Sequence, residues 1–80
     1  MDAWIIVTFP SVRDVYVDGV RFGKTNTAFS VQLGTHTVDL DVPRDYTPVQ
    51  VVALIDGTPL NPTVVAFRGG LTGDPDDPID

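Results

Sequence analysis

His36 is the residue of this chain whose side chain is best suited to general acid–base chemistry near neutral pH, and it is the only histidine. A catalytic histidine needs an orienting carboxylate and a nucleophile or substrate proton within hydrogen-bond reach. The serines, Ser11 and Ser30, have no glycine-flanked turn that would present a hydroxyl as a nucleophile. We therefore interpret His36 as a half-buried structural residue, and we expect no catalytic residue and no enzymatic activity.

Residues that could hold a metal ion or a cofactor are few and dispersed. One histidine, no cysteine and scattered aspartates do not supply the ligand set of a zinc site. The aspartates within residues 73–77 lack the glycine spacing and terminal glutamate of a calcium-binding loop. The sequence also contains no glycine-rich phosphate loop that opens a helix. We expect neither a metal nor a cofactor.

The net charge of −6 is concentrated at the C-terminus. All eleven acidic residues are aspartates, and four of them lie within residues 73–80. The nearly neutral remainder has no electrostatic reason to bind nucleic acid or an anionic membrane. No segment approaches the roughly 20 apolar residues that a membrane-spanning helix needs. We expect no membrane insertion.

The first residues bear on localisation. Asp2 stands where a secretory signal would carry basic residues, and the apolar run 3–7 is too short for the core of such a signal. As given, the chain is expected to be cytoplasmic. The cell envelope or secretion stays open if a signal was removed or another export route is used.

The secondary structure predicted for this chain consists of β-strands. Apolar and polar residues alternate with a period of two almost throughout, and valine, threonine and aspartate outnumber good helix formers. The pattern predicts an all-β sandwich over residues 3–68, with a hairpin through Gly34 joining 27–33 to 35–42. Residues 69–80 form an acidic tail too poor in apolar surface to offset the entropy of ordering. The predicted strands are 3–9, 14–18, 20–22, 28–33, 35–42, 49–55 and 63–68.

The alternation also predicts which side chains face the core. A two-layer sandwich this small buries one face of each sheet, so apolar residues on the second face are left over. If the strands that carry them are neighbours, they form a contiguous patch, which is typical of a partner-binding surface unless loops or the tail cover it. The predicted inner residues are Ile5, Val7, Phe9, Val15, Val17, Phe29, Val31, Leu33, His36, Val38, Leu40, Val42, Val49, Val51, Ile55, Val65 and Phe67. The predicted partner-binding residues are Trp4, Ile6, Val52, Leu54 and Val64.

The order of several short motifs resembles one known family. Residues 10–19, PSVRDVYVDG, resemble the opening of PEGA domains, in which a strand ends at proline and a valine–tyrosine–valine–aspartate–glycine strand and turn follow. The stretch 33–38, LGTHTV, matches the family's central hairpin, and 43–46, PRDY, its proline–glycine–tyrosine loop. Of the name-giving motif only Pro10 is kept. The resemblance implies a small immunoglobulin- or prealbumin-like sandwich of six or seven mostly antiparallel strands, used for adhesion, assembly or scaffolding.

Two functions follow from these observations. The first is non-catalytic protein–protein interaction or assembly through the apolar sheet face, with a protein partner or a second copy of the chain. The alternative is a carbohydrate- or envelope-binding module that uses Tyr16, Trp4 and Tyr46 as sugar platforms. The charged loop positions Arg13-Asp14 and Arg44-Asp45 are expected to form local ion pairs.

Overall fold

The computed structural model describes residues 1–43 and 45–69, and within them every regular element is a β-strand. Because these residues form no helix, none of them supplies a helix that could cross a membrane. The prediction of an all-β fold is confirmed. The strands are β1 (Asp2–Thr8), β2 (Asp14–Val17), β3 (Val20–Lys24), β4 (Phe29–Gln32), β5 (Gly34–Leu40), β6 (Tyr46–Thr47), β7 (Val51–Ile55), β8 (Thr63–Ala66) and β9 (Arg68–Gly69).

Two larger sheets enclose the core. One has three strands in the order β4-β1-β8, and the other has four in the order β3-β2-β5-β7. β6 and β9 form a separate two-stranded pair. Pairing is antiparallel except between β1 and β8, which run parallel. The architecture is therefore a small β-sandwich whose first strand lies at the centre of the three-stranded sheet.

The core forms because each strand directs alternate residues toward the facing sheet. From the three-stranded sheet, β1 contributes Ala3, Ile5 and Val7 to the core. From the four-stranded sheet, β5 contributes Val38 and Leu40. Both sheets therefore bury one apolar row against the same interior. The remaining core side chains are Phe9, Val15, Val17, Val31, Tyr46, Ile55, Val65 and Phe67.

The predicted hairpin between 27–33 and 35–42 is wrong. β4 pairs with β1, whereas β5 pairs with β2 and β7, so the two segments lie in opposite sheets. Each segment has a row of apolar side chains. Because the two segments lie in facing sheets, both rows are buried in the same core. The crossing occurs at Leu33-Gly34, where the Leu33 N–H donates to the Met1 carbonyl and Gly34 has a φ of 139°. That φ favours glycine.

Three residues predicted to face inward lie in solvent instead. Leu33 follows the end of β4 and Val42 follows the end of β5, so the alternation no longer governs them. Val49 precedes β7, which begins at Val51. In each case the strand is shorter than its apolar pattern suggested.

The connection from β7 to β8 contains a close backbone approach. Gly57 forms an isolated antiparallel bridge with Trp4, whose N–H donates to the Gly57 carbonyl at 2.9 Å. A Cβ at Gly57 would overlap the backbone N of Thr63 and the carbonyl O of Trp4. Glycine lets this segment lie against β1 before the chain enters β8.

The predicted acidic tail, 69–80, lies outside the described residues apart from Gly69. The structure places Gly69 in β9, opposite Tyr46 of β6. The aspartate-rich stretch 73–77 likewise lies outside the described residues.

Candidate functional site

Three of the predicted partner-binding residues lie together on the outer face of the three-stranded sheet. Ile6 of β1 is the parallel pairing partner of Val64 on β8, and Trp4 lies two residues earlier on the same face of β1. Trp4 and Ile6 are half-buried, whereas Val64 is 63% exposed. We call Trp4, Ile6 and Val64 the apolar strip. It forms because both strands have apolar residues on their inner and outer rows.

The other two predicted residues form a separate group on the four-stranded sheet. Val52 and Leu54 of β7 are 64% and 58% exposed, and they lie opposite Thr37 and Thr35 of β5. We call Val52 and Leu54 the β7 pair.

A single contiguous patch of all five residues is not what the structure shows. β1 and β8 belong to one sheet and β7 to the other, so their outward rows lie on the outer faces of different sheets. The periodicity places each residue on the correct row, but it contains no information about which sheet a strand joins.

His36 is held by acceptors on both ring nitrogens. Its Nδ1 lies 2.5 Å from a carboxylate oxygen of Asp18, and its Nε2 lies 2.6 Å from the backbone carbonyl oxygen of Gln32. The hydrogen bond with Asp18, and secondly that with the Gln32 carbonyl, raise the pKa of His36 because the protonated ring can donate to both. The pKa of Asp18 is lowered, chiefly by His36 and then by the Thr37 N–H.

Through its contact with Asp18, His36 stabilises the turn between β2 and β3. Asp18 and Gly19 have φ values of 53° and 82°, as in the tight turn that joins two antiparallel strands. Asp18 also exchanges hydrogen bonds with Thr37: its N–H donates to the Thr37 carbonyl, and its carboxylate accepts from the Thr37 N–H. His36 therefore joins the β2–β3 turn to the end of β4, which is a structural role.

A known protein family matches the part of the sequence that contains most of these residues. The model of the PEGA domain matches residues 4–56, which is more than half of the chain. The chain belongs to the PEGA family. The matched segment of this PEGA domain includes Trp4, Ile6, Val52 and Leu54, but β8 and its Val64 follow the match. No curated protein and no solved structure matches the chain.

Membership in the PEGA family indicates a binding module, without specifying what is bound. The loop 10–13, where PEGA domains carry their name-giving motif, is exposed at Pro10, Ser11 and Val12. Arg13 is directed back onto the domain, with its guanidinium carbon 4.9 Å from the centroid of the Phe9 ring. The loop therefore presents short side chains to solvent, whereas the charged side chain of Arg13 packs against the domain.

Arg13 also joins this loop to the loop 43–48, which begins and ends with proline. Its guanidinium forms an ion pair with Asp45 and donates to the Pro43 carbonyl at 3.0 Å. The hydrogen bond from Arg13 lowers the pKa of Asp45. Both prolines of that loop, Pro43 and Pro48, follow cis peptide bonds. Arg13 and Asp45 were expected to pair locally, but they pair with each other between the two loops, and Arg44 lies outside the described residues.

Two residues that were not predicted from the sequence hold the loop 10–13 in place. The Thr25 hydroxyl, almost fully buried, donates to the Ser11 carbonyl and accepts from the Arg13 N–H. The Asn26 amide accepts from the Phe9 N–H and donates to the Phe9 carbonyl, as a neighbouring strand would. The signal in the sequence is Asn26 after a short strand, because asparagine tolerates the φ of 65° found here.

Tyr46 is in the core and cannot serve as a sugar platform. Its ring packs edge-on against Phe9 and Phe67, with centroids 6.2 and 5.5 Å away. Its hydroxyl donates to the Leu40 carbonyl at 2.8 Å and accepts from the Leu40 N–H at 3.2 Å. Of the three aromatics proposed for sugar binding, Trp4 and Tyr16 keep some exposure, and they lie on different sheets.

Charged side chains line an open groove beside β3. Asp14 lies between Lys24 at 2.8 Å and Arg21 at 3.3 Å, with Phe22 and Gly23 completing the lining. Hydrogen bonding to Lys24, and then to Arg21, lowers the pKa of Asp14. Because one carboxylate pairs with two cations, the lining of the groove keeps one excess positive charge.

Proposed function

We propose that this PEGA domain is a non-catalytic module that binds a protein through the apolar strip of Trp4, Ile6 and Val64. The observation that carries the proposal is the pairing of Ile6 with Val64 on the outer face of a sheet whose inner face already fills the core. Burial of such a surplus apolar row is favourable at roughly 25 cal/mol per Å² removed from water. Trp4 adds the residue type most enriched at interface hot spots.

The rigid setting of the strip supports this proposal. β1 is paired on both sides, with β4 opposite residues 2–5 and β8 opposite residues 5–8. A surface on the central strand of a sheet loses little conformational entropy when it is covered, so more of its contact energy is available for binding.

The carbohydrate alternative has less support. Sugar platforms combine exposed aromatic faces with hydrogen-bonding side chains on one surface, and here Tyr46 is buried while Trp4 and Tyr16 lie on different sheets. Titration with mixed oligosaccharides, followed through the fluorescence of the sole tryptophan, Trp4, distinguishes the two functions. The proposal predicts unchanged emission.

Val64→Lys is the variant that tests the proposal. It places a charge in the strip at a site that is already 63% exposed, so the fold should tolerate it. The matched control is Val20→Lys, at a valine that is 58% exposed on β3, away from the strip. The measurement is the fraction of tagged chain that elutes in complexes heavier than the monomer from extracts of the native host.

We expect Val64→Lys to reduce that fraction at least about tenfold and Val20→Lys to leave it unchanged. Equal amounts of complex with all three chains, each shown to be folded by circular dichroism, would contradict the proposal.

A further inference from the structure

The exposed edge of β7 has a specific set of backbone groups directed away from the sheet. The Thr37 carbonyl of β5 accepts from Asp18, so Thr37 directs its backbone toward β2. Backbone direction alternates along an antiparallel strand, so Gly34, His36 and Val38 are directed toward β7. Their pairing partners Ile55, Ala53 and Val51 use their hydrogen bonds there. The backbone groups of Val52 and Leu54 therefore point to the open edge.

A side chain closes the C-terminal end of this open edge, because the Asp56 N–H donates to the Thr63 hydroxyl at 3.2 Å. Within residues 1–43 and 45–69, no backbone hydrogen bond covers Val52 or Leu54. The open stretch thus has two N–H and two C=O groups.

The other sheet edges carry features that oppose pairing. β3 has Arg21 and Lys24 and a register shift in its pairing with β2. β4 is only four residues long, and its Phe29 ring contacts Gly23 of β3. β8 is also four residues long, and it continues into β9, which pairs with β6. β7 has no charge, proline or glycine, and such an unprotected edge is a template for another strand.

We propose that β7 pairs antiparallel with β7 of a second copy of the chain, around a two-fold axis at Ala53. This register pairs Val52 of each copy with Leu54 of the other. Because Val52 and Leu54 are the residues with open backbone groups, the register forms four hydrogen bonds and uses all of those groups. A two-fold contact of this kind is closed, so assembly through it stops at a dimer.

The distribution of charge around the edge of β7 allows two copies of the chain to pair there. The chain has a net charge of −6, yet residues 51–55 and their outward neighbours Thr35 and Thr37 are uncharged. In the proposed register the nearest acid, Asp56, lies opposite Gln50 of the other copy, where an amide can donate to a carboxylate. Two net-negative molecules therefore meet at a surface without like-charge contacts.

This inference rests on the proposed interaction function and names a partner for it, although it uses the β7 pair rather than the apolar strip. The contact is small, so we expect a weak dimer with a Kd on the order of 0.1–1 mM. Sedimentation velocity from about 10 µM to about 1 mM should show the mean mass rising toward that of a dimer. The amide hydrogens of Val52 and Leu54 should exchange more slowly as concentration rises.

Charge substitutions at Leu54 and Val52 test the register. Leu54→Lys should weaken the dimer at least about tenfold, whereas Val20→Lys should not. Val52→Asp should also be monomeric, but an equimolar mixture of the Leu54→Lys and Val52→Asp chains should recover association, because the register places these two positions directly opposite each other. Recovery in the mixture also shows that both variants remain folded.

A wild-type chain that stays monomeric at about 1 mM, or a dimer unaffected by Leu54→Lys, would overturn the inference. The two proposals fail separately. A monomer whose host complexes still require Val64 would overturn only the β7 dimer. A dimer that requires Leu54, with host complexes indifferent to Val64→Lys, would overturn the apolar strip as the contact surface.

Discussion

Single polar side chains in this domain complete the hydrogen bonding that strands would otherwise supply. The Tyr46 hydroxyl serves both backbone groups of Leu40 where β7 no longer accompanies β5. The Asn26 amide does the same for Phe9 beside β1. Buried backbone groups without hydrogen bonds are costly, so short strands depend on such residues.

Tyr46→Phe isolates the first of these contributions. The ring contacts with Phe9 and Phe67 are kept, and the two hydrogen bonds to Leu40 are lost. We expect the free energy of unfolding to fall by about 1–3 kcal/mol, measured by urea denaturation. Tyr16→Phe, on the half-buried outer face of β2, is the control and should change it by less than about 0.5 kcal/mol. A Tyr46→Phe domain as stable as wild type would contradict this role.

His36 makes stability depend on pH in a defined direction. Its folded pKa is raised above 6.5, so its contribution is fully present below about pH 6.5 and is lost as pH rises through the folded value. The folded pKa of Asp18 is lowered below 3.8, so its contribution is present above that value and lost as pH falls through the folded value. The pair therefore stabilises the fold most between these limits.

We expect the urea midpoint to fall between pH 6 and pH 9 in the wild type and to fall less in His36→Gln. NMR titration of the single histidine should give a pKa above 6.5. A midpoint that falls equally in both chains, or a histidine pKa below 6.5, would contradict the assignment.

At the scale of elements, the sequence predicted the inner and outer rows better than the partners of each strand. Alternation is a local property, and it correctly assigned Ile5, Val7, Val15 and Val17 to the core. Strand pairing depends on where the chain crosses between sheets. The glycine at position 34 fits a hairpin turn and a sheet-to-sheet crossing equally well, so the sequence alone did not separate them.

For the candidate site too, the sequence predicted the rows of the residues but not which sheet each strand joins. Trp4, Ile6, Val52, Leu54 and Val64 were each placed on an outer row from the sequence, and each lies there. Their distribution over two sheets followed from the pairing of β7 with β5 and of β8 with β1, which no short pattern encodes. Thr25 and Asn26 were missed because their role depends on a loop twelve or more residues away.

Gly57→Ala tests the close approach that links β7, β1 and β8. The added methyl would overlap backbone atoms of Trp4 and Thr63, which cannot move aside as a side-chain end can. We expect a loss of about 1–3 kcal/mol in the free energy of unfolding. Leu60→Ala, in the same connection but 97% exposed, should change it by less than about 0.5 kcal/mol. Equal stabilities of the two variants would show that this segment does not pack as described.

At the scale of the whole molecule, the inner rows of the two larger sheets fill the core, and a second apolar row, which we propose as the binding surface, stays outside it. The core cluster does not include the apolar strip. Packing between the sheets therefore does not require apolar residues at Trp4, Ile6 and Val64. The strip lies on the three-stranded sheet, while the β7 pair lies on the other, so the two proposed contact surfaces are on different sheets.

Site-specific photo-crosslinking in the native host shows most directly whether the apolar strip binds a protein. A photoreactive amino acid replaces Val64 in one chain and, as the matched position, Val20 in another. Binding through the strip predicts a discrete protein adduct from position 64 that mass spectrometry can identify, and little or none from position 20. No protein adduct at position 64 in a folded, expressed chain, or the same adducts from both positions, would contradict the claim that the apolar strip binds a protein.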